Sequence, residues 1–307
     1  MSGSPAHDRR ARTPRQELLG STLSALMALQ FAAVVMFGKE VAAGDLPFPT
    51  LAIRFAGQSV LLFVVLLVLR KPLRPAPGER LPLILAATIG YGTEAALFFS
   101  ALNYGKAGAV TLLFYLYPVW VMLATIALDR RPPGWRLFVA LVLALGGSAV
   151  VIVGGGDVEV APFGIFLALA TSVAYTAYLI TADRTVRRTD PVTAAAWLGA
   201  GAAVANVVFS FAFSVDEFPA VSSWPYLVGM AVFSAGAFAA MLGGLQLVGA
   251  VRNAIIGVME PLGVAVLAAF FLDEPITAPM AIGGVLILGG AILATLVRTT
   301  RVREPDL

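Results

Sequence analysis

GVMEPLGVAVLAAFF, residues 257–271, sets an ionisable Glu260 and a helix-breaking Pro261 inside a run otherwise apolar enough to cross a bilayer. A carboxyl at bilayer depth costs about 3 kcal/mol even on the lenient insertion scale. Proline removes a helical hydrogen bond and crowds the preceding turn. Two costly residues side by side in a hydrocarbon-spanning segment imply a use for both.

The chain around them is built for lipid. Of its 307 residues 59% are hydrophobic and only 13% charged, against roughly 25% charged in a soluble domain, and its mean hydropathy is +0.88. These values indicate an integral membrane protein. The pI of about 9.4 does not indicate a nucleic-acid partner, because the basic residues are scattered between apolar runs rather than gathered on a soluble face. Cysteine is absent, which excludes disulfides, thiolate catalysis and Cys-based metal sites. The single histidine, His7, sits in a polar N-terminal tail. No cofactor or metal is expected.

Ten apolar runs are long enough for about 30 Å of hydrocarbon: 18–38, 48–69, 81–101, 107–127, 136–155, 162–181, 192–214, 224–246, 253–272 and 278–297. Alternating barrel-type segments are not seen, so the spanning elements are predicted to be α-helices, with no room for a soluble domain. The first run is full length and lacks a convincing cleavage site, so it is read as a retained helix rather than a signal.

Arginine and lysine decide the orientation. Eighteen of the 21 fall in the two tails and alternate loops: Arg9, Arg10, Arg12, Arg15; Arg70, Lys71, Arg74, Arg80; Arg130, Arg131, Arg136; Arg184, Arg187, Arg188; Arg252; Arg298, Arg301, Arg303. Both termini are expected in the cytoplasm. Lys39, Arg54 and Lys106 remain at outer helix ends or within a helix, and the outer loops carry acids such as Asp157, Glu159, Asp216 and Glu217.

The chain also repeats. Pro118 in LYPVW precedes Gly146-Gly147 by 28 residues, and Pro261 in MEPLG precedes Gly289-Gly290 by the same 28, a constant offset of 143. At that offset Leu102-Asn103 falls on Leu245-Gln246 and Ala107 on Ala250. Each half holds five helices, so equivalent helices must cross in opposite directions, as in secondary transporters built from inverted repeats. The expected organisation is a cytoplasmic tail (1–17), a first five-helix repeat (18–155), a second (162–298) and a C-terminal tail (299–307).

Taken in order, several residues resemble the drug/metabolite transporter superfamily, and its ten-helix EamA-like branch in particular. They are Lys39, Arg54-Phe55, Ala101-Leu102, the mid-helix Pro118 and Glu260-Pro261, Asp129 and Glu274, and GGVLILGG at 283–290. The resemblance covers about residues 18–298. The sequence departs at Phe31-Ala32, where the family usually has Trp-Gly, and at Asp129-Arg130, where Gly-Glu-Arg is usual. These substitutions leave the fold intact and bear on the cargo. The resemblance implies movement of a small metabolite, often an amino acid or an analogue, and frequently export.

Chemistry weighs against enzymatic readings. A serine–histidine or HExxH protease needs a histidine in the membrane, and paired mid-membrane aspartates are missing. GYGTEA at 90–95 matches a dinucleotide pattern but lies within a predicted helix, without the strand it requires. A proton-independent facilitator or exchanger and a non-transporting sensor or scaffold stand as the alternatives to a coupled carrier.

Two acids lie inside the bilayer, Glu94 on the third run and Glu260 on the ninth, and intramembrane ionisable groups point to function. Asn253, Gly257, Glu260 and Val264 share one helical face, as do Tyr91, Glu94 and Phe98. Either glutamate could equally be hydrogen-bonded helix glue. Arg54 and Lys39 are the candidate charge partners. Pro118 and Pro261 free the carbonyls of Phe114 and Gly257 at the depth where a carrier binds cargo, or merely kink two helices. Tyr115, Tyr175 and Tyr178, with Thr171 and Trp120, are candidates to wall an amphiphilic pocket. The glycine pairs 146–147, 243–244, 283–284 and 289–290 are read as close helix contacts. The partners expected are thus a small-molecule substrate, protons and the bilayer, in a plasma membrane.

Overall fold

The computed structural model describes residues 13–41, 48–105, 107–130, 133–154, 159–215, 218–271 and 276–297. It contains ten helices long and apolar enough to cross a membrane: α1 (Pro14–Val41), α2 (Phe48–Val68), α3 (Arg80–Leu102), α4 (Ala109–Asp129), α5 (Trp135–Gly154), α6 (Pro162–Thr185), α7 (Pro191–Ala212), α8 (Val221–Val248), α9 (Ala250–Phe271) and α10 (Ala278–Leu296). This is a multi-pass membrane protein. Large apolar side chains such as Leu67, Phe138, Val142, Phe270, Val285 and Ile292 point outward. An outward apolar belt is what a bundle in lipid presents.

Local sequence sets the helix ends. Asp190 caps α7, its carboxylate accepting from the backbone N–H groups of Val192 and Thr193, with Pro191 at the first helical position, where its missing N–H costs nothing. Thr277 caps α10 through the N–H of Met280. Gly249, at φ +81, ends α8 and starts α9 without a linker. That backbone conformation suits glycine.

Three helices are irregular. The helix that enters α4 runs over Ala107–Phe114, opening just before the spanning segment, and resumes over Tyr117–Asp129, and α9 is helical over Ala250–Gly257 and again over Glu260–Phe271. Each break falls just before a proline, Pro118 or Pro261, and the offset of 143 carries Phe114 onto Gly257 and Tyr117 onto Glu260. α3 carries a π-helical segment, Ala86–Gly92, just ahead of Glu94. Such widened turns recur at functional sites.

Small residues let helix backbones touch. α5 and α10 meet where a Cβ on Gly147 would lie 2.5 Å from the Gly283 carbonyl oxygen, and where a Cβ on Gly290 would lie 2.7 Å from that of Ala140. At the offset of 143, Gly147 corresponds to Gly290 and Ala140 to Gly283, so exchanging the halves turns one contact into the other. Of the expected glycine pairs, 243–244 and 283–284 are close contacts at both positions, whereas in 146–147 and 289–290 only the second glycine is: a Cβ on Gly146 or Gly289 would meet nothing within 4 Å.

One loop face is tied down by polar contacts. Glu79 accepts from the backbone N–H groups of Arg187 (3.0 Å), Arg188 (2.8 Å) and Thr189 (2.9 Å) and from the Thr189 hydroxyl (2.7 Å). Lys71 pairs with Asp190 at 2.8 Å, Arg184 with Asp129 at 2.7 Å, and Arg252 with Glu17 at 3.7 Å.

Candidate functional site

Polar side chains inside the bundle converge on one region. α2 supplies Arg54, α3 Tyr91 and Glu94, α4 Tyr115 and Tyr117, α6 Tyr175 and Tyr178, α8 Ser234, and α9 Glu260. Five of the chain's seven tyrosines are therefore here, each buried.

Arg54 anchors the cluster. It is 4% exposed, so it does not snorkel to the interface, although an arginine near a helix end commonly does. Its Nε donates to Ser234 Oγ at 2.7 Å, and its guanidinium lies 4.9 Å from the centre of the Phe55 ring, within cation–π range. Its remaining titratable neighbours are Tyr91, Glu94 and Glu260. The described ion pairs all lie elsewhere, so Arg54 serves both acids at longer range rather than belonging to one.

The tyrosine rings form a continuous wall. Tyr91 meets Phe238 edge-on at 4.6 Å and Tyr178 at 5.6 Å, Tyr178 meets Tyr175 at 5.8 Å, and Tyr175 meets Tyr117 edge-on at 4.7 Å. Phe114, at the α4 break, packs on Tyr115, Tyr117 and Tyr175. Edge-to-face geometry of this kind adds about 1 kcal/mol per pair beyond burial, so the wall is stiff. The Tyr117 hydroxyl donates to the Ala254 carbonyl at 3.2 Å, bridging the two broken helices, and the Tyr175 hydroxyl to Met241 Sδ at 3.4 Å. Tyr115 faces the Glu260 carboxyl. The Tyr178 hydroxyl alone among the five is buried with no hydrogen-bonding partner among the described residues.

The predicted residues fall into place unevenly. Glu94, Glu260, Tyr91, Tyr115, Tyr175, Tyr178 and Arg54 come together. Pro118, Pro261 and Gly257 are buried at the two breaks, and Gly257 is backed by the Tyr117 hydroxyl and Met27. The Lys39 side chain lies outside the described residues. Trp120 is 37% exposed and faces away. Thr171 spends its hydroxyl on the Leu167 carbonyl, one turn back. Asn253 turns to Ser24 and the Met241 carbonyl, because the break at Val258 interrupts the helical face it would have shared with Glu260. Sequence reasoning missed Tyr117, Ser234 and Phe238. The first two were accessible through the repeat: Tyr117 is the counterpart of Glu260, and Ser234 that of Tyr91, so Arg54 lies between two equivalent positions.

Comparison with known proteins accords with this picture. A family model described as the EamA-like transporter family matches twice, over residues 18–153 and 162–296. An uncharacterized transporter of Archaeoglobus fulgidus is 25% identical over 87% of this chain and 94% of its own length. An uncharacterized inner membrane transporter of Salmonella typhimurium, YicL, is 25% identical over 73% of this chain and 76% of its own. A solved crystal structure superposes with a TM-score of 0.76 at 20% identity, covering 93% of this chain and 99% of that one. At that identity it speaks for the fold alone.

Proposed function

The chain belongs to the EamA-like transporter family, and on that premise we propose that it is a secondary active carrier. It exports a small metabolite, an amino acid or a similar amphiphile, by alternating access across the plasma membrane, with both termini cytoplasmic. The observation that carries this reading is the pair of opposed helix breaks, joined by the Tyr117–Ala254 hydrogen bond beside a cluster of the buried Arg54 and Glu94 and the half-buried Glu260. Broken helices offer backbone carbonyls to cargo at mid-membrane depth, where unsatisfied backbone is otherwise not tolerated.

The halves act as two inverted five-helix units. Support comes from the family model matching each half separately, from the coincidence of the two breaks at one offset, and from the exchangeable α5–α10 contacts. An odd number of helices per half makes the second copy cross in the opposite sense. Rocking of one unit against the other exposes the cluster to each side in turn.

Glu260 couples export to protons, with Glu94 as the rival site. A carboxyl among tyrosine rings releases its proton when water or a cation reaches it and regains it when the cluster closes. Efflux profiling of cells overproducing the protein identifies cargo, and a profile identical to that of cells with the empty vector ends the carrier reading. Substrate-dependent proton movement in proteoliposomes then compares the wild type with Glu260→Gln and Glu94→Gln. Loss of uphill transport in Glu260→Gln is expected. Uphill transport persisting there makes Glu260 structural, and pH-independent flux in the wild type makes the protein a facilitator or exchanger.

A further inference from the structure

Of the tyrosine hydroxyls of the central cluster, that of Tyr178 is the one left buried without a hydrogen bond among the described residues. This side chain is 1% exposed, and its oxygen meets no hydrogen-bonding partner among the described residues. A buried, unsatisfied hydroxyl destabilises the fold, so its retention needs a reason. The ring itself is held firmly. A Cβ on Gly90 would lie 3.3 Å from Tyr178 Cβ and 3.7 Å from its Cα, so the π-helical segment of α3 presses directly on α6 at this point. Tyr91 and Tyr175 grip the ring from its sides. The hydroxyl cannot swing away to find another partner without breaking these contacts.

What surrounds that oxygen defines what would satisfy it. Its titratable neighbours are the Tyr91 hydroxyl and the Glu94 carboxyl. Arg54 is the strong donor nearby; its Nε is committed to Ser234, its plane lies on Phe55, and it also hydrogen-bonds the Tyr91 hydroxyl, so that it serves Tyr91 rather than Tyr178. The acceptors left to this place are Tyr178 Oη and the Glu94 oxygens, beside the aromatic faces of Tyr91 and Tyr175. A group carrying two or three N–H donors and a positive charge fits it on every count: the hydrogens meet the oxygens, the charge meets the carboxylate, and the rings add cation–π attraction.

Resting on the carrier reading, we infer that Tyr178 is a specificity-determining residue whose hydroxyl accepts an N–H of the cargo's amino group, with Glu94 as the neighbouring acceptor. The site then selects amines that still bear hydrogen over their fully alkylated counterparts. A quaternary nitrogen keeps the charge and the cation–π term but offers Tyr178 nothing.

The test uses purified full-length protein and matched pairs of probes, each primary alkylamine or α-amino acid against its N,N,N-trimethyl derivative. Affinity is read from the ligand-dependent shift in thermal unfolding. The wild type is expected to favour the N–H-bearing member of at least one pair by about 10-fold, as one charge-assisted hydrogen bond supplies. Tyr178→Phe should bring that preference close to unity by weakening the primary amine while leaving its trimethylated partner unchanged. The ligand-free melting temperature should stay level or rise, since no hydrogen bond is lost, which separates a recognition effect from misfolding. The inference is overturned if the wild type binds no amine of the panel, if it shows no preference in any pair, or if Tyr178→Phe keeps the preference. These outcomes leave the carrier reading to the efflux profile, which does not depend on amine binding.

Discussion

Gly147 and Gly283 meet backbone to backbone: a Cβ on either would lie 2.5 Å from the carbonyl oxygen of the other. Neither α5 nor α10 can yield there without separating along its length. Gly147→Val and Gly283→Val are each expected to cost about 1–3 kcal/mol, the usual price of forcing volume into a packed contact. Their neighbours supply the control, since a Cβ on Gly146 or Gly289 would meet nothing within 4 Å. Gly146→Ala and Gly289→Ala should be neutral or stabilising by up to about 1 kcal/mol through helix propensity. Thermal unfolding of the four variants in detergent checks the contrast.

These contacts also mark how far the sequence could be read. Ten apolar runs and their order were legible because lipid imposes a length and a composition on every spanning helix. The helix breaks were legible because proline acts locally. The glycine doublets were only half legible: LALGG and LILGG each present two glycines, and the identity of the contacting one depends on helix rotation, which composition does not encode. At the centre, acids and tyrosines stood out as polar residues in apolar surroundings. Ser234 did not, because one serine among many acquires meaning only through its distance to Arg54. Trp120 misled because an aromatic residue near a proline looks the same whether it faces cargo or lipid.

Gly257 lies at the α9 break, where a Cβ would come 2.8 Å from the Tyr117 hydroxyl and 3.0 Å from Met27 Cε. Gly257→Ala is expected to push α4 from α9 and reduce transport severalfold while the protein still folds. If the hydroxyl is the obstacle, Gly257→Ala combined with Tyr117→Phe should recover part of the loss. Transport rates for the two single variants and the double form a cycle, in which a non-additive recovery confirms the coupling and strict additivity refutes it.

Glu79 lies just ahead of α3, outside the membrane-spanning segment, where burial pushes its carboxyl toward the neutral form. The Thr189 hydroxyl and the backbone N–H groups of Arg188, Thr189 and Arg187 outweigh burial and hold it below its ordinary value of 4.5. A pKa lowered in the folded state gives stability that is fully present above the unfolded value and is lost as pH falls through the folded one. Above pH 4.5 Glu79→Gln should therefore lower the melting temperature by an amount independent of pH, since an amide accepts at only one of the two oxygens used here. As pH drops further below 4.5, the gap between wild type and variant should narrow. A gap that stays constant through that window would show that the network does not depend on charge.

Arg54 draws on two properties of a guanidinium at once: Nε donates to Ser234 Oγ at 2.7 Å while the planar group lies 4.9 Å from the Phe55 ring centre. A lysine ammonium keeps the charge but has neither the plane nor the fixed donor geometry. Arg54→Lys should accordingly fold, keep a cation near Glu94 and Glu260, and yet lose most transport. Arg54→Met removes the charge from a buried region holding two carboxyls and should lose both transport and its dependence on pH. Ser234→Ala removes the hydrogen bond alone and is expected to cost about 2 kcal/mol, in line with a bond to a charged donor. Transport rates across a pH series separate the roles: a lysine variant as active as wild type would make the positive charge sufficient, and equal losses in the lysine and methionine variants would assign the function of Arg54 to its geometry.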